Sequence, residues 1–111
     1  MKKENTVKSH RDFDRIIRSG QSFKSDHFAV YVLSSELGYA RIGLSVGKKN
    51  GIAVKRVLIK RQVRTMVAKA ELLPCSNDFI IVIRPSYDPN RYGALEEELL
   101  SLLGHVKEQI H

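Results

Sequence analysis

RIGLSVGKKNGIAVKRVLIKRQVR, Arg41 to Arg64, changes its period halfway. Arg41 to Val46 reads as a strand ended by Gly47, and a long helix then starts near Gly51 and runs to about Ala70, with Pro74 beyond its end. Asp78 to Ile83, DFIIVI, is a nearly continuous apolar run, as expected for a buried central strand. Strand, long helix, strand (41–46, 51–70, 78–83) suggests a split βαβ unit. Upstream, Ser9-His10-Arg11-Asp12 reads as a capping box with Ser9 as N-cap, followed by Phe13, Ile16 and Ile17 at helical spacing and by Gly20, which can stop the helix. FAVYVLSS, Phe28 to Ser35, reads as a strand, with another short one around Ser22 to Lys24. Downstream, Leu95, Leu99, Leu102, Leu103, Val106 and Ile110 form the stripe of a last amphipathic helix, with Glu96, Glu97 and Glu98 near its start, where they suit the helix dipole. The predicted fold is α+β: a two-layer α/β sandwich of order α-β-β-β-α-β-α with a βαβ crossover.

The 111 residues make one domain, 1–111, and 42% hydrophobic content suffices for one packed core. The single Cys75 makes no intrachain disulfide, which suits a reducing compartment. No apolar run follows the charged start, as a secretory signal requires, and none approaches the roughly 18 residues of a membrane helix. These features predict a cytoplasmic protein. Charge is segregated: residues 1–40 balance at +2, residues 41–70 hold nine Lys/Arg and no acid, and residues 71–111 balance at −4. A block at +9 repels itself unless a polyanion neutralises it. Nucleic acid leads among the partners this implies, ahead of an anionic membrane surface or a merely solubilising face.

On a helical wheel with Arg56 at zero, Lys60 falls at about 40°, Arg64 at about 80° and Arg61 at about 140°. Ile59, Val63, Met66 and Ala70 fall between about 280° and 340°. The apolar stripe is predicted to dock on the sheet, leaving a basic face whose i,i+4 like-charge pairs call for an external anion. Val57 and Leu58 fit neither face, unless a loop or the C-terminal helix covers them. SVGKKNG, Ser45 to Gly51, sets Lys48 and Lys49 between two glycines just before the helix, a corner suited to phosphate, although it lacks the spacing of a Walker loop.

No catalytic constellation is present in the pattern. His10, His27, His105 and His111 lack zinc-ligand spacing, and Cys75 has no CxxC partner. Asp12 and Asp14 point to different sides of their helix, and Glu96 to Glu98 fan around theirs, so no carboxylates converge as a two-metal nuclease requires.

The segment GLSVGKKNGIAVKRVLIKRQVR, Gly43 to Arg64, resembles the signature of the protein component of bacterial ribonuclease P, and the similarity extends to RDFDRIIRSGQSF, FAVYVL and DFIIVIRP. The chain departs from the pattern at Ile52 and Val57, where the family usually has Asn, at Leu58, often Arg, and at Ser25-Asp26, usually Asn-Arg. The resemblance implies a subunit of a ribonucleoprotein whose RNA is the catalyst and holds most of the Mg²⁺ that cuts precursor tRNA at its 5′ end. The protein itself then needs no cofactor, no membrane and no protein partner. Its implied partners are the catalytic RNA, through Lys48, Lys49, Lys55, Arg56, Lys60, Arg61 and Arg64, and precursor tRNA. The 5′ leader of the precursor is implied to lie in a cleft of Phe13, Ile17, Ala29, Tyr31 and, at its edge, Lys60. Core packing competes with the cleft for Phe13, Ile17 and Tyr31, although the Tyr31 hydroxyl wants water or a phosphate. The resemblance also implies a left-handed βαβ crossover, against the right-handed form found in about 98% of cases.

Three other readings compete. A helix-turn-helix protein needs a second helix where strands are predicted. A membrane-surface helix needs aromatic residues, which 51–70 lack. A stand-alone basic RNA-binding protein of the translation apparatus would have the same composition.

Overall fold

The structure, a computed structural model of the chain, describes residues 5–7, 9–72 and 75–110; Pro74 and His111 fall outside them. Helix α1 (His10–Ser19) starts where the Ser9 hydroxyl accepts a hydrogen bond from the Arg11 N–H at 3.2 Å, and ends where the Gly20 N–H donates to the Ile16 carbonyl at 2.8 Å. Then come β1 (Gln21–Lys24), β2 (Phe28–Ser34), β3 (Arg41–Val46), α2 (Ala53–Lys69), β4 (Asn77–Ile83) and α3 (Tyr92–Gln109). The sheet order is β1-β2-β4-β3. β2 is antiparallel to β1 and β4, while β3 is parallel to β4. Because β3 and β4 are direct neighbours, the βαβ unit they form with α2 is not split.

Period-2 alternation divides the sheet between two cores. Phe28, Val30 and Val32 of β2 with Phe79, Ile81 and Ile83 of β4 meet Ile59, Val63, Met66 and Val67 of α2 and Leu95, Leu99, Leu103 and Val106 of α3. Ile80, Tyr31, Leu33 and Val82 on the other face meet Ile16 and Phe13 of α1, together with Val7. The expected sandwich is the sheet with α2 and α3, and α1 is a smaller cover on the opposite face. The free edge of β3 is shielded by the N-terminal segment: the Val7 N–H donates to the Ile42 carbonyl at 3.2 Å, and Asn5 Nδ2 to the Ala40 carbonyl at 2.8 Å.

Helix α3 begins a turn earlier than the glutamates suggested. Asp88 accepts from the Asn90 N–H, Pro89 opens a short 3₁₀ turn, and the α-helix starts at Tyr92. Glu96 to Glu98 therefore lie in the second turn, beyond most of the dipole's reach. They act through contacts instead. Lys69 Nζ donates to Glu96 at 2.9 Å and ties α2 to α3. Glu98 accepts from Ser25 Oγ at 2.5 Å and from the His27 N–H at 2.8 Å, pinning the β1–β2 turn to α3. Burial pushes the Glu98 carboxyl up, but these hydrogen bonds outweigh it and hold it below the ordinary glutamate value.

Helix α2 is entered through Gly51, at φ 115°, a conformation that side chains disfavour. Ile52 then occupies the N-cap with cap-like backbone angles (φ −71°, ψ 166°) but has no side-chain oxygen, so the first N–H groups of the helix have no side-chain cap. Ile52→Asn should therefore raise stability by about 1 kcal/mol, seen as a higher denaturant midpoint at unchanged slope. An unchanged midpoint would show that water caps this end equally well.

Candidate nucleic-acid interface

Strand register arranges the face of the sheet under α1 in rows. Gly43, Ile80, Tyr31 and Ser22 lie side by side across β3, β4, β2 and β1, and Ser45, Val82, Ala29 and Lys24 form the next row. Phe13 is seated on the first row. A Cβ on Gly43 would lie 2.6 Å from Phe13 Cζ and 2.8 Å from Ile80 Cδ1, so only glycine leaves room for this ring. Phe13 and Tyr31 are half-buried, Ile17 is 38% exposed and Ala29 is buried as part of the floor. These four thus share one face, with the Tyr31 hydroxyl unpaired among the described residues. Lys60 is carried by α2, which packs on the opposite face, and is half-buried with no hydrogen bond or ion pair to a described residue. Lys24 extends the second row with an exposed cation. Sequence reasoning missed it, because nothing in a four-residue edge strand announces its register.

An ion-pair network fixes α1 over these rows. Arg41 grips Asp78 with two donors, Nε at 2.9 Å and a terminal nitrogen at 2.7 Å, and reaches Asp12 of α1 at 3.3 Å. Arg15 of α1 approaches the same Asp78 at 3.5 Å and Asp12 at 3.4 Å. Asp78 is buried, and its hydrogen bonds raise the Arg41 pKa above the ordinary arginine value. Asp12 thus faces Arg41 and Arg15, and no reciprocal half of the predicted capping box appears among the hydrogen bonds at this helix end.

The nine-cation block resolves into two uses. Arg41 and Lys69 are engaged in ion pairs. The other seven, Lys48, Lys49, Lys55, Arg56, Lys60, Arg61 and Arg64, have no ion-pair partner among the described residues. Lys48 and Lys49 sit on the short turn before α2, anchored by the buried Asn50, whose Nδ2 donates to the Arg84 carbonyl at 2.9 Å. They, Lys55, Arg61 and Arg64 are exposed. Arg56 is half-buried, and its Nε is enclosed without an acceptor among the described residues. Such a donor has lost its hydration with no hydrogen bond to a described residue in return.

The apolar stripe of α2 docks much as its spacing predicts, with Ile59, Val63 and Met66 fully buried, Val67 joining them and Ala70 only half-buried. Val57 and Leu58 are covered by neither a loop nor α3: they are 53% and 42% exposed. No group of three or more His, Cys, Asp or Glu among the described residues is placed to hold a metal ion, and no helix there is long and apolar enough to cross a membrane.

The Ribonuclease P family model matches residues 1–107 of the chain. The "Ribonuclease P protein component" of Streptococcus pneumoniae (strain Hungary19A-6) is 39% identical over 105 residues, covering 93% of this chain and 85% of the relative. Among solved structures, a Staphylococcus aureus RNase P protein mutant with defective mRNA degradation activity superposes with a TM-score of 0.86 at 29% identity, over 95% of this chain and 90% of that one. The RNase P protein from Thermotoga maritima does so with a TM-score of 0.75 at 27% identity, over 88% and 94%.

Proposed function

The chain belongs to the ribonuclease P protein family, and from that premise we propose that it is the cytoplasmic protein subunit that binds the catalytic RNA and the 5′ leader of precursor tRNA. It thereby assists Mg²⁺-dependent, RNA-catalysed removal of the leader. The observation that carries this reading is the set of seven cations on α2 and the turn before it, unpaired with any described carboxylate, together with a half-exposed apolar surface on the opposite face of the sheet. A polyanion neutralises the first, and unstacked bases suit the second. Mg²⁺ supplies the charge stabilisation of phosphodiester cleavage and is assigned mainly to the RNA. Four of the described carboxylates, Asp12, Asp78, Glu96 and Glu98, are engaged by Arg41, Lys69 and the Ser25–His27 turn, and the others form no metal-holding group of three or more with described His, Cys, Asp or Glu.

Reconstitution tests the assignment. Protein alone should leave precursor tRNA intact, and catalytic RNA at low Mg²⁺ should cut it faster once the protein is added. Cleavage by rigorously RNA-free protein, or no stimulation of the RNA, would overturn the reading. The cations have their own signature: each phosphate contact removed from Arg56 or Lys60 by substitution with Ala should flatten the salt dependence of RNA binding by a slope of about 0.7 to 0.9. An unchanged slope in the Arg56→Ala, Lys60→Ala double variant would reject the phosphate role.

A further inference from the structure

The side of α2 facing away from the core is not uniformly basic. Val54, Val57, Leu58 and Arg61 recur at i, i+3, i+4 and i+7 and therefore share one strip of the helix surface. Val54 is 76% exposed, and Ile52, immediately before the helix, is 74% exposed. Val54 makes with Val57 and Leu58 an apolar ridge along the first two turns, bordered by exposed Lys55, Arg61 and Arg64. None of these choices helps the isolated fold. Ile52 leaves the helix without a side-chain cap, and the β-branched Val54 and Val57 are weaker helix formers than a straight-chain residue would be at an exposed site.

We propose that this ridge receives unpaired nucleotides of the RNA partner, whose bases pack on Val54, Val57 and Leu58 while their phosphates meet the bordering cations. The inference deepens the proposed RNA-binding function and rests on it. Charge selects the occupant. With no acid between residues 41 and 70, a second copy docked ridge to ridge would set like charge against like charge, and a neutral apolar partner would leave the cations unanswered. Continuous duplex answers the cations, yet its bases are stacked inside and its surface offers the ridge only phosphate and sugar. Unpaired nucleotides present both an anionic backbone and an apolar base face. The ridge thus adds a contribution to RNA affinity that does not depend on salt.

Two RNA hairpins of equal length and charge test this, one fully paired and one interrupted by an internal loop of unpaired purines. Each is titrated with the full chain across a salt series. The wild-type protein is expected to bind the looped hairpin about tenfold more tightly. A Val57→Gln, Leu58→Gln double variant should abolish that preference while keeping the salt slope of the wild type, because no charge changes. Val54→Gln, a second exposed site, should reduce the preference in the same direction. Leu37→Gln, a like apolar-to-polar change at an exposed site on the β2–β3 turn, should leave it in place. Equal binding of both hairpins by the wild type, or a preference that survives the double variant or disappears with Leu37→Gln alone, overturns the inference while leaving the RNA-binding reading intact. So does a wild-type dimer that the double variant disperses. If neither hairpin nor catalytic RNA binds with a salt-dependent affinity, the functional reading itself fails and takes the ridge with it.

Discussion

Asp78→Ala should lower the unfolding free energy by about 3–5 kcal/mol, the largest loss expected from any polar substitution in this protein. Asp78 is 1% exposed and accepts both donors of the Arg41 fork as well as a longer contact from Arg15. Removing the carboxylate leaves the half-buried Arg41 guanidinium with only its 3.3 Å contact to Asp12, and a charge kept from water without its main partner is costly. The pair itself need not favour folding that strongly. Replacing Asp78 and Arg41 together with apolar residues of similar volume should recover most of the loss, because no orphan charge then remains. A denaturant melt of the single and double variants checks both statements. A midpoint for Asp78→Ala close to that of the wild type would mean that water enters the site and the network is ornamental. The consequence extends to function, since the same network docks α1, which carries Phe13 and Ile17, over β3 and β4.

That network marks the limit of what the sequence made legible. Each element was announced locally: Ser9 as a cap, alternating or continuous apolar runs for β2 to β4, and the Ile59–Val63–Met66 stripe for the docked side of α2. Local pattern does not encode which strands become neighbours. That DFIIVI would place Asp78 opposite Arg41 of β3 depends on the β2-β4-β3 pairing, and so Arg41 read as one more cation of the basic block. Glu96 to Glu98 were placed by spacing at a helix start that Asp88 and Pro89 set one turn earlier. The wheel separated docked from undocked residues on α2, but it could not tell that Arg56 and Lys60 flank the core half-buried while Val54, Val57 and Leu58 take the outermost position. Residues 41–70 balanced at +9 pointed to a polyanion, and it is the structure that separates the two cations used internally from the seven left over.

Tyr31→Ala should weaken binding of precursor tRNA about five- to 150-fold and leave mature tRNA binding unchanged, because only the precursor carries a leader. The tyrosine stands between Ile80 and Ser22 on the α1 face, half-buried, with a hydroxyl that no described residue satisfies. A ring in that position can offer its exposed side to a base, and loss of one stacked base is worth roughly 1–3 kcal/mol. Tyr31→Phe keeps the π-face and should retain most of the affinity. Core packing predicts a different pattern. A fully buried aromatic truncated to alanine costs about 3–5 kcal/mol of stability, and both tRNA forms would then suffer through loss of folded protein. The half-buried position argues for a smaller stability cost here, with the difference appearing as selective loss of the precursor. The deciding measurement pairs a denaturant melt with titrations of precursor and mature tRNA. A strongly destabilised Tyr31→Ala variant that loses both ligands equally would assign Tyr31 to the α1 core and leave Ile17, with its 38% exposure, as the most exposed of the remaining apolar candidates for the leader.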